Sequence, residues 1–154
     1  MSTSEGGGMF SFKTQKKQVG VHQLLRRAMN ATSPNHPPTQ GESRWEDRSN
    51  RTIPVLLAPY ADGQPIGDEH TIALTKNLSS QGVALVLPQP FRAEQVLIGF
   101  WLDARPEFVL GHVRQNVPLG GGYWQLGVEL TERTGPATCP AIESLVPLTA
   151  RLRA

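Results

Sequence analysis

Lys76-Asn77-Leu78-Ser79-Ser80-Gln81-Gly82 is a polar stretch set between two apolar, alternating segments. Before it, His70 to Thr75 places Ile72 and Leu74 two apart; after it, Val83, Leu85 and Leu87 keep the same period until Pro88 and Pro90 end the run. Alternation broken by a short polar stretch predicts two antiparallel strands joined by a turn over 76–82. Within that turn, Asn77 and Ser79 carry short side chains that both donate and accept hydrogen bonds. Gly82 is expected to allow either a positive φ or the close approach of a ligand where the second strand restarts.

Outward from this hairpin the same rhythm recurs. Thr52 to Tyr60 alternates Ile53, Val55 and Leu57, with Pro54 and Pro59 implying an edge or a strand end, and Ala61 to Pro65 reads as a turn. Gln95 to Leu102, Phe108 to Gln115 and Tyr123 to Leu130 are three more candidate strands, divided by Asp103-Ala104-Arg105-Pro106 and by Pro118-Leu119-Gly120-Gly121-Gly122. Six short strands are best closed into a small antiparallel barrel, which removes exposed edges, although the pattern alone also allows a sandwich. The expected fold class is therefore all-β with flanking helices: a six-stranded antiparallel β-barrel with an N-terminal and a C-terminal helix.

The flanks have their own signatures. Residues 1–18 are rich in Gly, Ser and Lys and are expected to be a flexible tail. In 19–31, Val21, Leu24, Leu25, Ala28 and Met29 recur at helical spacing and predict an amphipathic helix. Its basic cluster, Lys16, Lys17, Arg26 and Arg27, is weighed as a membrane-surface or partner element against a solvated face on a helix laid along the barrel; the second reading is preferred. Residues 32–43 form a Pro-rich linker, 44–136 the barrel, and 137–154 a terminal helix with Ile142, Leu145, Val146 and Leu152 on one face. Pro147 is expected to kink that helix, Thr149 to interrupt its stripe, and Leu148 to fall off it.

Composition narrows the function. The 154 residues suit one compact domain with tails, and a formal charge of +2 gives no reason to expect nucleic acid as partner. Cys139 is the only cysteine, so neither an internal disulfide nor a cysteine-rich metal site can form. His22, His36, His70 and His112 show no metal-ligand spacing. No secretory leader is expected from the first residues, and no apolar run nears the ~18 residues of a membrane span, which points to a cytoplasmic protein. No nucleophile has an evident His and acid partner, and Gly120-Gly121-Gly122 lacks the Lys-Ser/Thr of a phosphate loop, so no enzyme and no cofactor are expected.

Asn77-x-Ser79-x-x-Gly82, preceded by Arg44-Trp45-Glu46-Asp47-Arg48, resembles the two-part signature of the PilZ domain, a small β-barrel that binds the bacterial second messenger cyclic di-GMP. Tyr123-Trp124-Gln125-Leu126-Gly127-Val128-Glu129-Leu130 is similar to the closing strands of that family. The resemblance covers roughly residues 44–130. It implies a PilZ-like split barrel and assigns ligand contacts to Arg44, Arg48, Asn77, Ser79 and Gly82. Arg51 competes with Arg48 for the second clamp position, and Trp45 has two open readings, stacking on the ligand or packing the loop on the barrel. The implied ligand is cyclic di-GMP, and the implied partner is an unidentified protein that reads the change of shape. The alternative is a degenerate PilZ-like adaptor that binds no nucleotide and acts through protein–protein contact. A nucleic-acid-binding barrel ranks last, because the strands carry few Lys or Arg.

Overall fold

A computed structural model describes residues 20–28, 48–49, 52–79 and 82–152, with Arg48 and Ser49 described by their backbone alone. The predicted tail, the linker, and Arg44, Trp45 and Arg51 lie outside the described residues. Eight strands are present: β1 (Arg48–Ser49), β2 (Pro54–Ala61), β3 (Gln64–Pro65), β4 (Thr71–Ser79), β5 (Gly82–Leu87), β6 (Gln95–Leu102), β7 (Arg105–Gly120) and β8 (Tyr123–Thr134). Six of them form a closed antiparallel ring in the order β4-β5-β8-β7-β6-β2, because β2 also pairs with β4. This is the six-stranded barrel that the strand count predicts, and the sandwich is ruled out by the closing β2–β4 ladder. β1 and β3 are two-residue additions to its rim.

The closing ladder explains the prolines of β2. Pro54 is paired with Leu74 of β4 and Pro59 with Val96 of β6, while only Leu56 and Leu57 are flanked on both sides. Pro54 thus marks the start of β2 and Pro59 the end of its ladder with β6, two residues before the strand itself ends, and β2 is not an edge strand. A side chain completes the closure: Ile53 N–H donates to Thr75 Oγ1 (2.9 Å) and Thr75 N–H donates to the Ile53 carbonyl (2.9 Å). Thr75 is buried, so this hydroxyl is at work in the core rather than in water.

Between Thr75 and Asn77 the register of β4 on β5 shifts, with Lys76 as the extra residue. The bulge changes which residues face inward. Ala73 and Thr75 are buried, whereas Ile72 and Leu74 are 45% and 47% exposed. The apolar alternation before the motif therefore lies on the outside of the barrel, not in its core. After the bulge the phase reverses and Leu78 is fully buried. A one-residue insertion in a period of two swaps the faces.

Two apolar cores result. The first fills the barrel with inward side chains such as Val55, Leu57, Leu85, Phe100 and Leu126. Helix α1, residues 20–28, belongs to it through Val21, Leu24, Leu25 and Ala28. The predicted amphipathic helix is thus laid on the barrel. Arg27 pins it to the β6–β7 end, pairing with Asp103 and with Glu107 at 3.0 Å each, and Glu107 also receives Arg133. The hydrogen bond to Glu107, opposed by burial and reinforced by Asp103, raises the Arg27 pKa above its ordinary value.

The second core covers the outer face of β2, β6 and β7, where Leu56, Ala58, Leu97 and Phe108 meet Ile142, Leu145 and Leu152. The C-terminal segment is not one kinked helix. It is a 3-10 turn at Pro140–Leu145, a single turn of α-helix α2 at Val146–Thr149, and another 3-10 turn at Ala150–Leu152. Pro147 sits in the first turn of α2, where its missing N–H costs nothing, so it starts a piece rather than bending one. Thr149 continues the buried stripe because its hydroxyl donates to the Val146 carbonyl (2.7 Å). Leu148 is half-buried and also packs against this cluster.

The hairpins β6–β7 and β7–β8 run longer than predicted. Asp103 and Ala104 turn the first at φ 53° and 62°, and Gly120, Gly121 and Gly122 turn the second at φ 94°, 66° and 87°. The three glycines were expected to make a hairpin turn, and do. The first turn was expected over Asp103 to Pro106 and is tighter, since Arg105 and Pro106 already pair with Leu102 and Trp101.

Replacing Leu24 by Ala is expected to lower unfolding free energy by about 2–5 kcal/mol, since it opens a cavity in the barrel's own core. Urea denaturation checks this, and a loss under 1 kcal/mol, roughly what an exposed site gives, would detach α1 from the core. Thr75→Val keeps the shape but strands the Ile53 N–H, and is expected to cost about 1–3 kcal/mol in the same assay.

Candidate ligand-binding face

The two halves of the sequence motif meet. Arg48 pairs with Ser79 and Ser49 with Leu78, so β1 lies against the far end of β4. The arginine segment and the Asn-x-Ser-x-x-Gly segment, separated by the whole of β2 and β3 in sequence, are neighbours through a backbone ladder. Of the predicted contacts the structure brings together Arg48, Asn77, Ser79 and Gly82.

The motif is less of a turn than expected. β4 continues to Ser79 and β5 begins at Gly82, leaving the predicted turn over 76–82 shortened to the residues between them. Asn77 pairs with Ala84 and therefore faces outward, while its neighbours in the core are Leu78 and Val83. Ser79 lies on the same outer face. Its hydroxyl accepts from the Gly82 N–H and donates to the Gly82 carbonyl, both at 3.3 Å, which fastens the hairpin across its mouth.

Gly82 does not have a positive φ. The close approach that excludes a side chain is that of the barrel's own backbone: a Cβ there would land on the Val128 carbonyl oxygen of β8. The residue is small because β5 and β8 approach closely at that point, opposite Glu129.

The outer face extends across β5 and β8 onto β7. Asn77, Ala84, Gly127 and Gln115 form one row across four strands. Beside it, Lys76 Nζ donates to Gln125 Oε1 (2.9 Å), and Arg114 donates from Nε (2.8 Å) and pairs through Nη2 (2.6 Å) with Glu129 Oε1. Arg114, like Lys76, falls at a register shift, between Val113 and Gln115. None of Lys76, Arg114, Gln125 or Glu129 was singled out from sequence as a site residue. The signal that locates them is the strand register, which no local pattern carries.

Chemically the face offers planar and hydrogen-bonding groups over a floor of small residues, with cations at its sides. A separate cleft of about 450 Å³, lined among others by Asp62, Gln64, Asp68 and Ser144, contains none of these residues. Among the described residues no group of three His, Cys, Asp or Glu could hold a metal ion. Nor is any helix among them long and apolar enough to cross a membrane.

A closed six-stranded ring in which the two motif halves meet at one end of β4 is the arrangement that the resemblance of the motif to the PilZ domain implies. No family model matches the chain, and no curated protein does. Two solved structures are similar to it: the Bacillus subtilis inhibitor of motility MotI/DgrA and K. pneumonia MrkH in its apo state. The first is 17% identical with a TM-score of 0.45, covering 70% of this chain and 52% of that one. The second is 14% identical with a TM-score of 0.40, covering 66% and 50%. The chain thus spans about half the length of each.

Gly82→Ala is expected to destabilise the ligand-free protein by about 2 kcal/mol or more, because backbone on both sides must move. Asn77→Ala, on the outer face, is expected to stay within about 0.5 kcal/mol. Thermal melting of both variants checks the contrast, and equal stability would mean that Gly82 is not held against β8.

Proposed function

We propose that the chain is a receptor for cyclic di-GMP that changes conformation on binding and passes the change to a protein partner. The observation that supports this reading is the Arg48–Ser79 pairing, which brings the backbone of Arg48 to the end of β4 that carries Asn77. Cyclic di-GMP presents two phosphates and two guanines. Arginine suits both, since its planar fork binds a phosphate or the guanine O6 and N7 bidentately, and stacks on a base as well. In this reading Arg44 and Arg48, with Arg51 as competitor for the second position, clamp the ligand while Asn77 contacts it from the barrel. In the same reading Trp45 either stacks on the ligand or packs the segment onto the barrel. Ser79 and Gly82 hold the hairpin that presents Asn77.

Signalling follows from connectivity. The arginine segment lies on the chain between α1 and β2, so closing it on a ligand restrains the stretch that leads from α1. The ordering of residues 41–51 against the barrel is then a switch whose output is the position of α1 or the surface around it. The setting is cytoplasmic, and no catalytic step is involved.

A second reading, the nucleotide-free adaptor, is favoured by the exposed apolar side chains Ile72, Leu74, Val117 and Tyr123 on neighbouring strands. Apolar groups gathered on one outer face suit a protein partner.

Calorimetric titration with cyclic di-GMP, with GTP as control, separates the two. The receptor reading expects a Kd of about 1 μM or tighter for the cyclic dinucleotide alone, and a loss of at least about tenfold in Arg48→Ala and Arg48→Lys. The ligand-free melting temperature of these variants should hardly move, because β1 pairs through its backbone. No heat at high ligand concentration would select the adaptor.

A further inference from the structure

We infer that Arg114 and Lys76 form a second anion-binding wall of the same face, and that Glu129 holds Arg114 in reserve until a phosphate displaces it. The inference rests on the receptor reading and deepens it, naming residues on strands that the sequence motif does not reach.

Three observations converge. Each cation falls at a β-bulge, Lys76 on β4 and Arg114 on β7, so each is an extra residue whose placement is freed from the ladder's alternation. Each is also tied to a β8 residue, Lys76 to Gln125 and Arg114 to Glu129. Between them lies the row Asn77, Ala84, Gly127 and Gln115, whose two middle members are small. Four strands at neighbouring spacing of about 4.8 Å span about 14 Å from β4 to β7, a width that takes a dinucleotide lying across the strands.

Glu129 is the informative member. It is directly opposite Gly82 and two residues along β8 from Gly127, so a ligand lying across the row from Asn77 to Gln115 passes about 7 Å from its backbone position. A bare carboxylate there repels phosphate. Arg114 cancels it, using both Nε and Nη2 on one carboxylate oxygen. The side chains are 61% and 51% exposed, and so exposed a pair gains little from its own contact, which leaves Arg114 ready to exchange partners. A phosphate, with more charge and three acceptor oxygens in reach, competes well for the same fork.

Cyclic di-GMP titrated into the wild-type chain, Arg114→Ala, Lys76→Ala and Glu129→Gln tests this. Arg114→Ala is expected to weaken binding about tenfold, since it removes an anion contact and unmasks Glu129. Lys76→Ala should weaken it about threefold, and Glu129→Gln should tighten it about threefold, the sign that a structural role for the pair would not produce. Melting temperatures without ligand should be alike in all four. If the wild type binds and Arg114→Ala stays within about twofold of it, or Glu129→Gln weakens binding, the second wall is overturned and the receptor reading stands. If none of the four binds, the receptor reading falls and takes the wall with it.

Discussion

The extra residue at Lys76 is the constraint on which the arrangement of this barrel depends. Up to Thr75, β4 sends alternate side chains inward as Ala73 and Thr75, and without the bulge Asn77 would follow them into the core. Burying an amide there would leave polar atoms without water or partners. Inserting Lys76 instead turns Leu78 inward and sets Asn77 and Ser79 outside. The core keeps an apolar residue, and the outer face gains the two side chains with hydrogen-bonding capacity.

Closure and site are coupled through the same strand. Thr75, next to the bulge, ties β4 to Ile53 and so completes the ring, while the far end of β4 receives β1 and the arginine segment. β4 thus has partners on both sides, β5 on one and β2 followed by β1 on the other, and is paired on both at Leu74 and Leu78, which flank the bulge and Asn77. A strand held from both sides makes a rigid platform for Asn77. The helix α1 shares the core that this platform borders.

Much of the fold is legible because it follows from alternation and punctuation. The strands β5, β6 and β8 begin within a residue of where Val83, Gln95 and Tyr123 announce them, and the helical spacing of Val21, Leu24, Leu25 and Ala28 is enough to place α1. The C-terminal segment is misread for a specific reason. Thr149 looks polar in sequence, yet a hydroxyl that bonds back to Val146 buries as readily as a methyl group. The turn expected over Asp103 to Pro106 is shorter than read, because the β6–β7 ladder extends to the Leu102–Arg105 pair and leaves only Asp103 and Ala104, at positive φ, to reverse the chain.

The sequence by itself determined the six strands of the ring, the apolar face of α1 and the residue types of the motif, since burial periodicity and turn chemistry are local properties; closure of those strands into a barrel rather than a sandwich came from the β2–β4 ladder. Only the tertiary structure decided which face each half of β4 presents, why Gly82 must lack a side chain, and that Arg114 and Glu129 stand across from it. These depend on register between strands distant in sequence. A shift of one residue reverses every face while leaving the local pattern unchanged.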